Sequence, residues 1–127
     1  MPIVRVDIIK NSDSSYIGKI GKIIYQAMRT AINVPDKDNF QILNEHARDH
    51  FVYDPEYLGI QRTDQTVIIQ ITLNEGRTVD QKKALYKTIA DQLAQQLSIP
   101  KGDVFISLVE VKKENWSFGN GIAQYAE

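Results

Sequence analysis

Pro2 stands directly behind Met1 and directly ahead of the strand-like run Ile3-Val4-Arg5-Val6-Asp7-Ile8-Ile9. A small residue at position two favours removal of the initiator methionine. Proline then becomes the chain end, and its ring nitrogen changes from an inert amide to a secondary amine. Chain-end amines titrate near pH ~8, and an apolar pocket lowers that value because desolvation penalises the charged form. An amine poised near neutrality can accept a proton and return it. Proline at position two is equally compatible with no chemical role. With Met1 retained, its nitrogen is an acylated amide and cannot act as a base.

Other reactive groups are few. The chain has no cysteine, which removes disulfides, thiolate catalysis and cysteine-zinc sites. His46 and His50 are four residues apart beside Glu45, the spacing of a metal pair on a helix. His46 closes a predicted strand, however, so the geometry does not suit a metal and none is expected. No glycine-rich phosphate loop follows a strand, so no nucleotide or other cofactor is expected. Fifteen basic side chains face sixteen acidic ones, for a net charge of -1, without the basic excess of a nucleic-acid binder. No apolar run reaches the length of a membrane span, and no signal peptide precedes the first strand. The expected location is the cytoplasm, with neither nucleic acid nor membrane as partner. The 127 residues, 43% of them apolar, suit one domain spanning 1–127.

The elements that must position Pro2 come from a unit used twice. At a shift of 65 residues, Val34-Pro35 falls on Ile99-Pro100, Asp38 on Asp103, Phe40 on Phe105, Leu43 on Leu108 and Glu45 on Glu110. Upstream, Ile20, Ile24, Met28 and Ile32 fall on Leu85, Ile89, Leu93 and Leu97, one apolar helical stripe in each half. Each half, about 2–46 and 67–111, reads strand, helix, strand. The predicted strands are 3–9, 39–46, 66–73 and 104–111. The helices run from about Ser15 to Asn33, ended by Pro35, and from a Thr78 N-cap to about Leu97. Each unit closes as a right-handed crossover with parallel strands. The expected fold is α+β: two tandem β-α-β units forming a four-stranded sheet, with both helices on one face. The segment Thr66-Val67-Ile68-Ile69-Gln70-Ile71 is apolar on both sides, a sign of burial on both faces. The face without helices is therefore expected to pack against copies of the chain, a ring being the natural closure. Two segments lie outside the repeat, 47–65 and the tail from Glu114. The Gly119-Asn120-Gly121 of the tail suits a tight C-terminal hairpin.

Pro2 opening a strand, the fused β-α-β units, Val34-Pro35-x-x-Asp38-x-Phe40-Gln41, Asn44-Glu45-His46, Arg62-Thr63, Arg77-Thr78 and Trp116-Ser117-Phe118-Gly119 together resemble the tautomerase superfamily. Within it the resemblance is to the branch of the malonate semialdehyde decarboxylases, and it covers nearly the whole chain. It implies a tautomerase/MIF-like fold, a homotrimer, and the Pro2 amine as central acid or base. It implies that Asp38 activates water or orients substrate, that Arg77 binds or polarises the substrate's carboxylate or carbonyl, and that Trp116 and Phe118 belong to the pocket wall. One departure stands out. The decarboxylases carry a second arginine two residues before the position of Arg77, and here that residue is Glu75.

The residues themselves support a definite chemistry. A neutral Pro2 amine would move a proton between carbon and oxygen of a small keto or enol acid. The developing enolate needs positive charge, which a planar guanidinium supplies through two donors. Arg77 precedes the second helix, whose N-terminus also favours an anion; as a bare sequence feature it is equally a solvated loop charge. Asp38 has a bland counterpart in Asp103, and both suit the turn that enters a strand. Glu75 beside an anionic substrate disfavours decarboxylation of malonate semialdehyde, so a keto-enol tautomerase is the preferred reading. A decarboxylase or hydratase relying on Asp38, and a non-catalytic trimeric binding protein, remain the alternatives. Arg62 could reach the pocket or pair with Asp54 or Glu56.

Overall fold

The computed structural model describes residues 2–126. Its main elements are β1 (Ile3–Ile9), α1 (Tyr16–Ile32), β2 (Phe40–His46), β3 (Val67–Asn74), α2 (Val79–Leu97) and β4 (Val104–Val111). The sheet order is β2-β1-β3-β4. Within each unit the two strands are parallel, β1 with β2 and β3 with β4. The units join through an antiparallel β1–β3 pair in which Ile3 lies opposite Thr72 and Asp7 opposite Ile68. A parallel pair inside each unit and an antiparallel pair between them relate the halves by an approximate two-fold axis.

Alternation along the strands decides which face is covered. Val4, Val6 and Ile8 of β1 and Val67, Ile69, Ile71 and Leu73 of β3 point to the helices and are buried. They meet Ile20, Ile24 and Met28 of α1 and Leu85, Ile89 and Leu93 of α2, all inaccessible to solvent or nearly so. These are the residues of the sequence stripe, and each such burial is worth about 1.5–3 kcal/mol. Both helices lie on this face. The opposite face carries Phe40 at 52% exposure and Phe105 at 47%, with Ile42 and Val109 also open. β3 corrects one expectation: Gln70 is exposed on the open face, so that face of the strand is less apolar than its neighbours implied.

Local chemistry sets the element ends. Thr78 caps α2 as expected, its hydroxyl accepting from the Gln81 amide while the Gln81 side chain accepts from the Thr78 amide. The helices stop before their prolines, at Asn33 and Ser98, both with left-handed backbone (φ 57° and 55°). The Val34 amide then returns to the Met28 carbonyl, and the Ile99 amide to the Leu93 carbonyl.

The two segments expected to lie outside the repeat continue it at their starts. Arg48–His50 and Lys113–Asn115 form matching 3₁₀ turns, again 65 residues apart. The same bonds close them, His50 to Ala47 and Asn115 to Lys112, each at 2.9 Å. Phe51-Val52-Tyr53 thereby takes the place that Trp116-Ser117-Phe118 takes in the other half. The tail beyond doubles back through Gly119, Asn120 and Gly121, all with positive φ. Among the described residues no strand ladder closes it. The Gln124 side chain does so instead, accepting from the Phe118 amide and donating to the Gly119 carbonyl.

Asp103 anchors the long connection. Fully buried, it accepts from the Thr63 amide (2.6 Å), the Thr63 hydroxyl and the Thr66 hydroxyl (3.1 Å). Gly102 beside it is obligatory, because a Cβ there would stand 2.7 Å from the Gln61 carbonyl oxygen. Asp103→Ala takes the acceptor from the Thr63 amide and the Thr63 hydroxyl, while the Thr66 hydroxyl keeps the Thr63 carbonyl, so urea denaturation is expected to show a loss of about 2–4 kcal/mol. A loss below about 0.5 kcal/mol, the scale of an ordinary surface change, would show that the clamp is not needed.

Candidate active site

The antiparallel joint brings the start of β1 against the end of β3, and the parallel pair sets the start of β2 alongside. Pro2, Asp38–Phe40 and Asn74–Arg77 therefore converge at one end of the sheet. Pro2 is buried. It lines a cavity of about 200 Å³ together with Ile3, Phe40, Trp116, Ser117 and Phe118. The wall is almost wholly apolar, and the tail builds half of it. Trp116 stacks on Phe118 with centroids 5.3 Å apart, and Tyr125 meets Phe118 edge-on.

Arg77 does not line the cavity itself but stands next to it, held through Asn74. The Trp116 indole N–H donates to Asn74 Oδ1 at 2.7 Å, and Arg77 Nη1 donates to the Asn74 carbonyl at 3.3 Å. One residue thus orients both the aromatic wall and the guanidinium. Gly76 makes the turn possible with φ 119°, a backbone that other residues rarely adopt. Glu75 shares this turn, exposed, with its amide bonded to the Val111 carbonyl.

Asp38 is half-buried near the same end. Burial pushes its carboxyl above the usual carboxylate range, and the positive charge of Arg77 pulls the other way. Asp38 and Asp103 both bond their amides to a proline carbonyl, Pro35 and Pro100, but the turns differ: Lys37 has φ 66°, while Lys101–Asp103 is a 3₁₀ turn. Their side chains have diverged: that of Asp103 is a structural clamp, while that of Asp38 sits within the field of Arg77.

The remaining candidates lie elsewhere. His46 bonds to Asp7 at 2.6 Å, and His50 is exposed on its 3₁₀ turn. Among the described residues no group of His, Asp and Glu could hold a metal ion. Arg62 pairs with neither Asp54 nor Glu56 through a carboxylate. Its Nη1 donates to the backbone carbonyls of Asp54, Tyr57 and Ile60, far along the sheet from Pro2. No described helix is long and apolar enough to cross a membrane. Asn74 and Phe40 are the site residues that sequence reasoning missed. Asn74 had one available signal, a polar residue ending an apolar strand three positions before Arg77.

This arrangement can receive a small, largely apolar molecule, offer a guanidinium to its anionic end and hold its other end against the first residue of β1. Comparison with known proteins places the chain in a family. Two family models, both described as tautomerase enzyme, match residues 2–61 and 38–119. The chain is 42% identical over the full length of both proteins to a probable tautomerase of Bacillus subtilis (strain 168), YusQ. It superposes with TM-score 0.90 on the FG41 malonate semialdehyde decarboxylase inhibited by 3-bromopropiolate, at 31% identity, covering 97% of this chain and 93% of that one. A fused 4-OT shares the fold, with TM-score 0.79 at 23% identity over 98% of each chain. The two-fold-related β-α-β units, the cavity at the start of β1 and these likenesses agree, and the chain belongs to the tautomerase family of enzymes.

Proposed function

We propose that this enzyme is a proline-dependent tautomerase of small keto and enol acids, working after removal of Met1. The observation that carries the reading is the burial of Pro2 in an apolar cavity beside Arg77. An amine there is desolvated, which favours its neutral, basic form. With an enol acid as substrate, the amine takes the proton of the enol hydroxyl as the C=O bond forms. The double-bond electrons close on the neighbouring carbon, which receives a proton from the resulting ammonium. Nothing is gained or lost overall. The Arg77 guanidinium holds the substrate carboxylate and balances charge developing on oxygen. Trp116, Phe118 and Phe40 enclose the apolar body and exclude water.

The open sheet face supports a homo-oligomer, for which a trimer is the proposed form. Phe40, Ile42, Phe105 and Val109 lie on that face; burying Ile42 and Val109 between copies removes apolar surface from water, while Phe40 and Phe105 line the cavities near its two ends. Native mass spectrometry is expected to show three chains, and a stable monomer would overturn this part of the reading.

A second reading is decarboxylation or hydration of a three-carbon acid, with Asp38 holding the water. The raised Asp38 carboxyl next to Arg77 and the likeness to the FG41 decarboxylase favour it; Glu75 in the same turn opposes it by repelling an anion. Carbon dioxide release from malonate semialdehyde that disappears in Asp38→Asn would establish this activity.

Phenylenolpyruvate is the test substrate, with intact mass confirming loss of Met1. Pro2→Ala and a variant with one extra residue ahead of Pro2 are each expected to lose at least about 100-fold in rate. Equal rates in all three proteins would rule out the amine as catalyst. Asp38→Asn has an opposite signature in stability. Because burial raises the folded-state value of this carboxyl, ionising it costs the folded protein more than the unfolded chain. The contribution of the protonated form is intact at acid pH and fades as pH rises through the raised value. Asp38→Asn is therefore expected to melt higher than the parent at neutral pH, with the gap closing below about pH 4. A variant that melts lower at neutral pH would contradict the burial argument.

A further inference from the structure

The two-fold relation between the halves has a consequence for binding. The cavity at Pro2 uses Ile3 and Phe40, with Trp116-Ser117-Phe118 as its wall. Adding 65 to the first two and subtracting it from the rest gives Ile68, Phe105 and Phe51-Val52-Tyr53. A second cavity lies at that place, of about 250 Å³, lined by Val52, Tyr53, Tyr57, Arg62, Ile68 and Phe105. Its size falls just below the ~300 Å³ at which pockets begin to hold drug-sized ligands, so it suits a small molecule.

The second cavity cannot repeat the proposed chemistry. The residue corresponding to Pro2 is Val67, whose nitrogen is an internal amide of β3. The counterpart of Asp38 is Asp103, which is occupied by Thr63 and Thr66. The counterpart of Arg77 is Ser12. Yet a cation is supplied from another direction. Arg62 comes from the long connection, and its Nη1 is fixed by three backbone carbonyls. Among the described residues nothing takes the hydrogens of its Nη2 and Nε, and it forms no ion pair. The neighbouring Arg48, by contrast, is bound by two nitrogens to Asp64. The carboxylate of Asp54, which also lines the cavity, accepts from the Glu56 amide.

We propose that this cavity is a second, non-catalytic binding site for a small carboxylic acid with an apolar body. Arg62 takes the carboxylate through Nη2 and Nε, and Ile68, Phe105 and Tyr53 take the apolar part. The site rests on the proposed function only for the class of acid. Asp54 lowers its affinity by facing the same anion.

Ile3 and Ile68 give each cavity its own reporter. Whole protein labelled at isoleucine δ1-methyls is titrated with 3-phenylpropionate and observed by NMR. Both methyls are expected to shift. Arg62→Gln is expected to weaken the Ile68 response at least about tenfold while the Ile3 response persists. Asp54→Asn keeps the acceptor for Glu56 but removes the charge, and is expected to strengthen the Ile68 response. The neutral probe 3-phenylpropanamide is expected to lose most of it. If the Arg62 variant fails to fold, the Asp54 variant and the neutral probe still decide. An Ile68 methyl that stays still while Ile3 moves overturns the second site and leaves the proposed function standing. An Ile3 methyl that stays still while Ile68 moves does the reverse. Equal response to acid and amide overturns the role of Arg62.

Discussion

The antiparallel pairing of β1 with β3 is the joint on which the rest of the molecule is built. A strand-helix-strand unit with parallel strands leaves one edge of β1 unpaired, and the second unit presents the matching edge of β3 in the opposite sense. Backbone bonding along this seam, Ile3 opposite Thr72 and Asp7 opposite Ile68, sets the register of the whole sheet. A slip of one residue would turn Val4, Val6 and Ile8 away from the helices. The same register carries the end of β3, and with it Asn74 and Arg77, toward the start of β1. Core and site are thus products of one alignment.

Duplication on such a seam starts from two equivalent ends, and the present chain shows how they became different. Asp38 and Asp103 share an amide bond to the preceding proline carbonyl, yet one lies in the field of a guanidinium and the other anchors a loop. Trp116 and Phe51 follow matching turns. The first donates its indole N–H to Asn74, while Phe51 packs between the rings of His46 and Tyr53, with centroids 6.3 Å from each.

Much of the scaffold was legible in the residue pattern because its determinants are local. The stripes through Ile20, Ile24 and Met28 and through Leu85, Ile89 and Leu93, the Thr78 cap and the turn residues ahead of each second strand all act within a few positions. The family resemblance added the tail aromatics, which the structure sets beside Pro2. What escaped notice depends on partners distant in sequence. Asn74 matters through a tryptophan 42 positions away. The closure of the tail by Gln124 replaces the hairpin ladder that Gly119-Asn120-Gly121 predicts. The continuation of the repeat through Phe51 and Tyr53 was hidden because Val52 and Ser117 have nothing in common except their backbone position.

The stacked pair of Trp116 and Phe118 has a practical consequence. The chain contains a single tryptophan, and its indole is half-buried in the wall of the Pro2 cavity with its N–H bonded to Asn74. With excitation beyond the absorption of the six tyrosines, the emission of the protein therefore originates from one ring beside the first residue of β1. Any molecule entering there displaces water from that ring and alters its polarity, so the protein carries its own label-free optical gauge of occupancy.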